Sequence, residues 1–236
     1  MLHTFVLLAM MQGAQAAPLT APEIVDHMVR ADNDRLAALA GYTGVRHYHF
    51  QNQKSGKQAE VTTRMTCDNA GVKTFEVISE GGSGFVRSHI IRKMIDAERE
   101  ASQKGERQQS RIIPENYDFS FVGMEDLDGR SNYVLEVSPK TRNKFLILGR
   151  IWVDAEDFAV ARVEGQPAKN PSVWIRSVKV VQQYGRKGQF WLPVKNESLA
   201  QARIFGATEV VIEYSDYVTS VRQAQARHAN GGDGAQ

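Results

Sequence analysis

The chain has 236 residues and 42% hydrophobic content, enough for one sizeable domain or two small ones with a real core. Lys and Arg total 29 against 27 Asp and Glu, a formal net charge of +2 with no block of like charge. So even a balance gives no footing for a nucleic-acid partner.

The first stretch, MLHTFVLLAMMQGAQAAP, holds an apolar run from Phe5 to Met11, then Ala14-Gln15-Ala16, a small-x-small cleavage pattern. The run is far short of the roughly 20 apolar residues a membrane-spanning helix needs. It predicts a cleaved secretory signal over 1–16, although His3 alone stands where such signals favour Lys or Arg. A periplasmic protein is the consequence. Cys67 is the only cysteine, so no internal disulfide forms. In RMTCDN it ends an alternating run with no histidine beside it, which reads as a half-buried strand residue rather than a nucleophile.

Thr20-Ala21-Pro22-Glu23 is a capping-box pattern. Apolar spacing behind it predicts one helix, or two broken near Asn33, over 21–40. From Gly41 the period becomes two. GYTGVRHYHFQNQ, KQAEVTTRMTCDN and GVKTFEVISE are strand-like runs with short turns between them, an antiparallel meander.

Gly81-Gly82-Ser83-Gly84 follows, read as a flexible hinge before a helix. Val86, Ile90, Met94 and Ala97 form that helix's apolar stripe, with Ile91 and Ile95 widening it. Arg87, Arg92, Asp96 and Glu98 are placed on the opposite side. EREASQKGERQQSR is then either the solvated end of the helix or a mobile loop. Strand-like runs resume at YDFSFVGMEDLDG and continue to ATEVVIEYSDYV, separated by turn chemistry such as Asp128-Gly129-Arg130. The tail, 223–236, ends in a Gly-rich stretch and is expected to be disordered. With no linker in between, 17–222 is expected to form a single domain. About ten antiparallel strands and two helical segments predict a mainly β, α+β fold: a curled sheet forming an incomplete barrel, with helices covering its concave side.

Few residues invite chemistry. Asp154, Glu156 and Asp157 fall where two strand runs meet, and hairpin spacing makes them a solvated turn tip whose carboxylates bond turn amides. The longer oxygen series and glycine of a calcium loop are missing. His47 and His49 share one strand face, and a zinc site needs a third ligand that nothing nearby suggests. Catalytic motifs are absent, and neither a cofactor nor a metal is implied. Late strands such as Val173/Ile175 against Trp174/Val178/Val180 are apolar on both faces, which favours a covered face or a ligand cavity.

GRIWVDAEDFAVARVEGQPAKNPSVWIRSVKV and GQFWLPVKNESLAQARIFGATEVVIEYSDY carry a Trp-Val-Asp strand, a hairpin, a Trp-x-Pro strand and a final tyrosine-bearing strand. In that order, over about 117–218, they resemble the outer-membrane-lipoprotein-sorting (LolA-like) family. The resemblance implies an incomplete barrel closed by helices around an apolar cavity. It further implies a monomeric periplasmic carrier of lipoprotein acyl chains or other lipid, working between inner- and outer-membrane transport components with no chemical step. Val86, Ile90, Met94, Trp152, Trp174, Trp191 and Phe205 are the candidates to line such a cavity, under a movable Val86–Ala97 helix. Two alternatives remain at this point. One is an envelope sensor or structural module binding another protein on a sheet edge; the other is a metal-using extracytoplasmic hydrolase.

Overall fold

The computed structural model describes residues 19–222 apart from 171, 172, 174 and 205. The expected signal, the expected tail, Trp174 and Phe205 lie outside the described residues. Helix α1 (Ala21–Ala38) is one unbroken helix, with Glu23 Oε2 accepting from the Thr20 N–H at 2.8 Å and the Thr20 hydroxyl at 2.7 Å. It runs straight into β1 (Leu39–Asn52), followed by β2 (Gln58–Cys67) and β3 (Lys73–Gly82). Then come α2 (Gly84–Val86), a π-helical turn (Arg87–Ile91) and α3 (Arg92–Ala101), which continue one another as a single 84–101 helix. The charged segment expected as helix end or loop supplies the rest of α3 and a separate α4 (Lys104–Ser110). Seven strands follow among the described residues: β4 (Tyr117–Leu127), β5 (Arg130–Pro139), β6 (Ile147–Asp154), β7 (Val160–Pro167), β8 (Ile175–Lys187), β9 (Phe190–Ala202) and β10 (Gly206–Val221).

All ten strands form one antiparallel sheet in the order β3-β2-β1-β10-β9-β8-β7-β6-β5-β4, open at β3 and β4. The register fixes its inner face. Val61, Tyr48, Ile212, Asn196, Gln182, Val163, Ile151 and Leu135 are successive cross-strand partners and so share one side. Both helical layers pack on that side. Ile24, Val25 and Met28 of α1 meet Leu135, Ile151 and Val163, while Val86, Ile91 and Ile95 meet Tyr48, Val61 and Ile212.

The sheet curls around these helices. Helix α1 touches both β1 and β4, which stand seven strands apart. Flat, that separation is about 34 Å, whereas 18 helical residues reach only about 27 Å. Glu100 of α3, at the other end, still reaches Lys144 in the β5–β6 loop at 2.8 Å. The architecture is the half-barrel the pattern predicts.

Two glycines matter to this geometry. Gly149 and Gly165 face each other across β6 and β7, and a Cβ on Gly149 would overlap the Glu164 carbonyl oxygen and sit 2.6 Å from Gly165 Cα. Gly149→Val is expected to cost about 1–3 kcal/mol by overpacking, or more where strand pairing gives way, read by urea unfolding. Gly82 is no loose hinge. It closes β3 at φ 72°, where a Cβ would press on Gln58 and Ala59 backbone.

Candidate functional site

The inner face has apolar ends and a polar middle. Between the two clusters, Asn196 donates to Gln182 Oε1 at 2.9 Å, Ser198 donates to Asn196 Oδ1 at 3.0 Å, and Gln182 donates to the Lys195 carbonyl at 3.0 Å. Beside this ladder, under the 84–101 helix, lies a cavity of about 440 Å³. Phe50 of β1 and Val210 of β10 form its floor, with Val178 and Ala200 on β8 and β9. Val86, Ile90 and Met94 hang from the helix above. Its size falls within the range of small-molecule sites, and its walls are those of a site for apolar matter.

The π turn explains how the helix serves sheet and cavity together. Arg92 N–H bonds to the Arg87 carbonyl, an i to i+5 link that inserts one extra residue. Val86 and Ile91, five apart, are both fully buried, and Ile95 follows four later. Ile90 and Met94 are thereby turned toward the cavity. The same extra residue corrects the expected helix face: Glu98, placed outward in sequence, falls in line with Ile91 and Ile95 and points inward.

There Glu98 is held by two cations. It pairs with Arg46 of β1 and with Lys73 of β3, the latter at 2.8 Å. Arg46 is 1% exposed, between the rings of Phe75 and Tyr214, each with its centroid 5.0 Å away. Burial alone would raise the Glu98 carboxyl, but Lys73 and Arg46 overcome it and hold the group at about 2. Lys73 is raised despite its burial because Glu98 faces it. The C-terminal half of the cover is therefore tied to β1 and β3 through Glu98, while its N-terminal half combines apolar contacts with an Arg87–Glu80 pair to β3 at 2.8 Å. Glu98 was read in sequence only as a polar-face residue, and Arg46 and Lys73 were not singled out. A signal for Arg46 was there: it shares the even-numbered set of β1 with buried Tyr48 and Phe50.

Other sequence candidates are placed elsewhere. Trp152 lies on the outer side of β6, opposite Val134 and Arg162, because its indole N–H finds Glu125 there at 2.8 Å and Arg162 covers its ring. Trp191 does not line this cavity either. Its N–H donates to Asp157 at 2.9 Å, fixing the β6–β7 turn to β9. Trp191 instead lines a separate pocket of about 300 Å³ beside α1, with Met28, Val29 and Tyr184.

The three carboxylates do sit on the β6–β7 turn, yet only Glu156 is a wet tip. Asp154 is 1% exposed and accepts from Arg130 at 2.6 and 2.7 Å and from the Glu156 and Asp157 amides at 3.1 and 2.8 Å. Although burial opposes it, these donors lower the Asp154 carboxyl below its ordinary value. His47 bonds Thr62 at 3.1 Å and His49 lies 3.5 Å from Glu60. Among the described residues, no group of three His, Cys, Asp or Glu is placed to hold a metal ion. Cys67 is buried, and that burial raises its thiol, the wrong direction for a nucleophile. No helix among the described residues is long and apolar enough to cross a membrane.

No protein-family model matches the sequence, and a search of curated proteins finds no match. Solved structures do match. A DUF1329 family protein from Desulfovibrio piger aligns over 88% of this chain and 96% of its own, at 14% identity and a TM-score of 0.43. A LolA superfamily protein from Nitrosomonas europaea covers the same shares at 14% identity and a TM-score of 0.38. A structure described as an outer membrane lipoprotein-sorting protein domain, from Vibrio parahaemolyticus, covers 84% and 93% at 11% identity and a TM-score of 0.42. At such identities and TM-scores the likeness gives no residue of this chain a role.

Proposed function

We propose that the protein is a periplasmic carrier that takes the acyl chains of lipoproteins or other lipids into the cavity under the 84–101 helix and delivers them toward the outer membrane. The observation that carries this reading is the cavity itself: about 440 Å³, walled by Phe50, Val86, Ile90, Met94, Val178 and Val210. Its lining is mainly apolar, with Asn52, Ser55, Ser198 and Thr208 and the cations at the mouth as exceptions, and such a lining favours hydrocarbon. Binding needs no chemical step, since each buried methylene contributes about 0.8 kcal/mol. The helix that roofs the site is the part that moves, pivoting on its Glu98 anchor while the apolar contacts near Val86 and the Arg87–Glu80 pair part.

Displacement of an environment-sensitive apolar dye tests it. Bound acyl chains should displace the dye, and shortening the chain by two carbons should weaken binding about 15-fold. Filling the cavity with Ala200→Trp should abolish dye binding while leaving the far-UV circular dichroism intact. Dye that binds the variant as well as the parent would place the ligand elsewhere.

A further inference from the structure

The cavity has a charge asymmetry at its mouth. Its buried end is walled by Val86, Val178 and Val210, whereas its exposed end carries Lys57, His89 and Lys93. No Asp or Glu lines it among the described residues. The neighbouring cations of the same helix are neutralised: Arg87 pairs with Glu80 at 2.8 Å, and Arg92 reaches the same carboxylate at 3.8 Å. Lys57 and Lys93, in contrast, form no ion pair with any described carboxylate. Beside Lys57 stands Phe85, 49% exposed, its ring stacked on His89 at 4.5 Å and its centroid 5.3 Å from the Lys57 ammonium. The mouth thus carries an aromatic lip and two ammonium groups without an ion-pair partner among the described residues.

From this arrangement we infer that the preferred ligand is an anionic amphiphile, with one acyl chain in the cavity and a phosphate or carboxylate head between Lys57 and Lys93. The inference rests on the carrier reading and narrows it. A neutral head would leave both ammonium groups without a counter-charge, while an anion there gains charge-assisted hydrogen bonds from each. A cavity near the low end of the usual size range suits one chain rather than several. Both lysines are exposed, so the preference is electrostatic and salt-sensitive, with a screening length of roughly 3 Å at 1 M salt.

The test compares four amphiphiles with the same sixteen-carbon chain, below their micellar concentrations, by titration calorimetry on the full chain. They are an alkyl carboxylate, an alkyl phosphate, a neutral monoacylglycerol and an alkyl trimethylammonium. Both anions should bind about tenfold tighter than the monoacylglycerol at low salt, and the cation should bind weakest. The gap should close in 1 M NaCl and in the Lys57→Gln/Lys93→Gln variant. That variant should keep the parent's urea midpoint, since exposed side chains add little to folding. A tighter phosphate points to a phospholipid head and a tighter carboxylate to a free fatty acid. Equal affinity for neutral and anionic chains would overturn the ligand class and leave the carrier reading standing. If none of the four binds, the carrier reading itself fails.

Discussion

Glu98→Gln is expected to destabilise the protein by about 3–5 kcal/mol in urea unfolding, the range for removing one partner of a buried ion pair. The substitution keeps the side chain's shape, removes its charge and turns one of its two acceptor oxygens into a donor. Arg46, at 1% exposure, then has no counter-ion, and Lys73 loses the carboxylate that raises it. The loss should appear first in the cover, because Glu98 ties α3 to both β1 and β3. Proteolysis within 84–110 should therefore accelerate before global unfolding does. Replacing all three residues together, as Arg46→Met, Lys73→Met and Glu98→Leu, should recover most of the stability, since it leaves no buried charge unpaired.

The same cluster sets an acid limit. Glu98 has its folded-state carboxyl depressed to about 2 from an ordinary 4.5, so its contribution is fully present above pH 4.5 and is lost as pH falls toward 2. Asp154 is depressed as well and adds loss in the same direction below its ordinary 3.8. Parent stability should therefore decline between pH 4.5 and 2, and Glu98→Gln should flatten much of that slope in a series of urea midpoints.

Asp154→Ala is the second large effect, an expected cost of about 2–4 kcal/mol. One carboxylate here gathers both Arg130 contacts and two turn amides, and its removal leaves the β6–β7 turn without its internal acceptor. Arg130 is partly exposed and can rehydrate, which keeps the cost below that of Glu98. Asp154→Asn retains an acceptor for the amides and should lose roughly half as much. Glu156→Ala, at 80% side-chain exposure, should change stability by less than about 0.5 kcal/mol. An equal cost at Asp154 and Glu156 would restore the view of the whole turn as a wet tip.

Much of this fold was legible because period-two alternation and turn residues are local signals. The meander of β1 to β3, the order of the later strands and the capped α1 all follow from short windows of sequence. The half-barrel followed from counting strands that need a covered face. What stayed hidden depends on register and helix phase. Periodicity at 3.6 residues put Glu98 outward, and the single extra residue of the Arg87–Ile91 π turn brings it inward. Arg46 lies beside His47 and His49, whose chemistry drew the eye to the outer side of β1. Among the proposed cavity residues, the helix members Val86, Ile90 and Met94 were readable from spacing. Trp152 and Trp191 were not, since only tertiary structure shows where an indole finds its acceptor.

The central claim is that hydrocarbon occupies the space beneath the 84–101 helix, and native mass spectrometry of protein isolated from cells tests it most directly. The predicted result is a population carrying an added mass in the range of a single-chain lipid, lost in the Ala200→Trp variant although that variant stays folded. An unadorned mass for the parent, together with failure to take up any offered acyl chain, would contradict it.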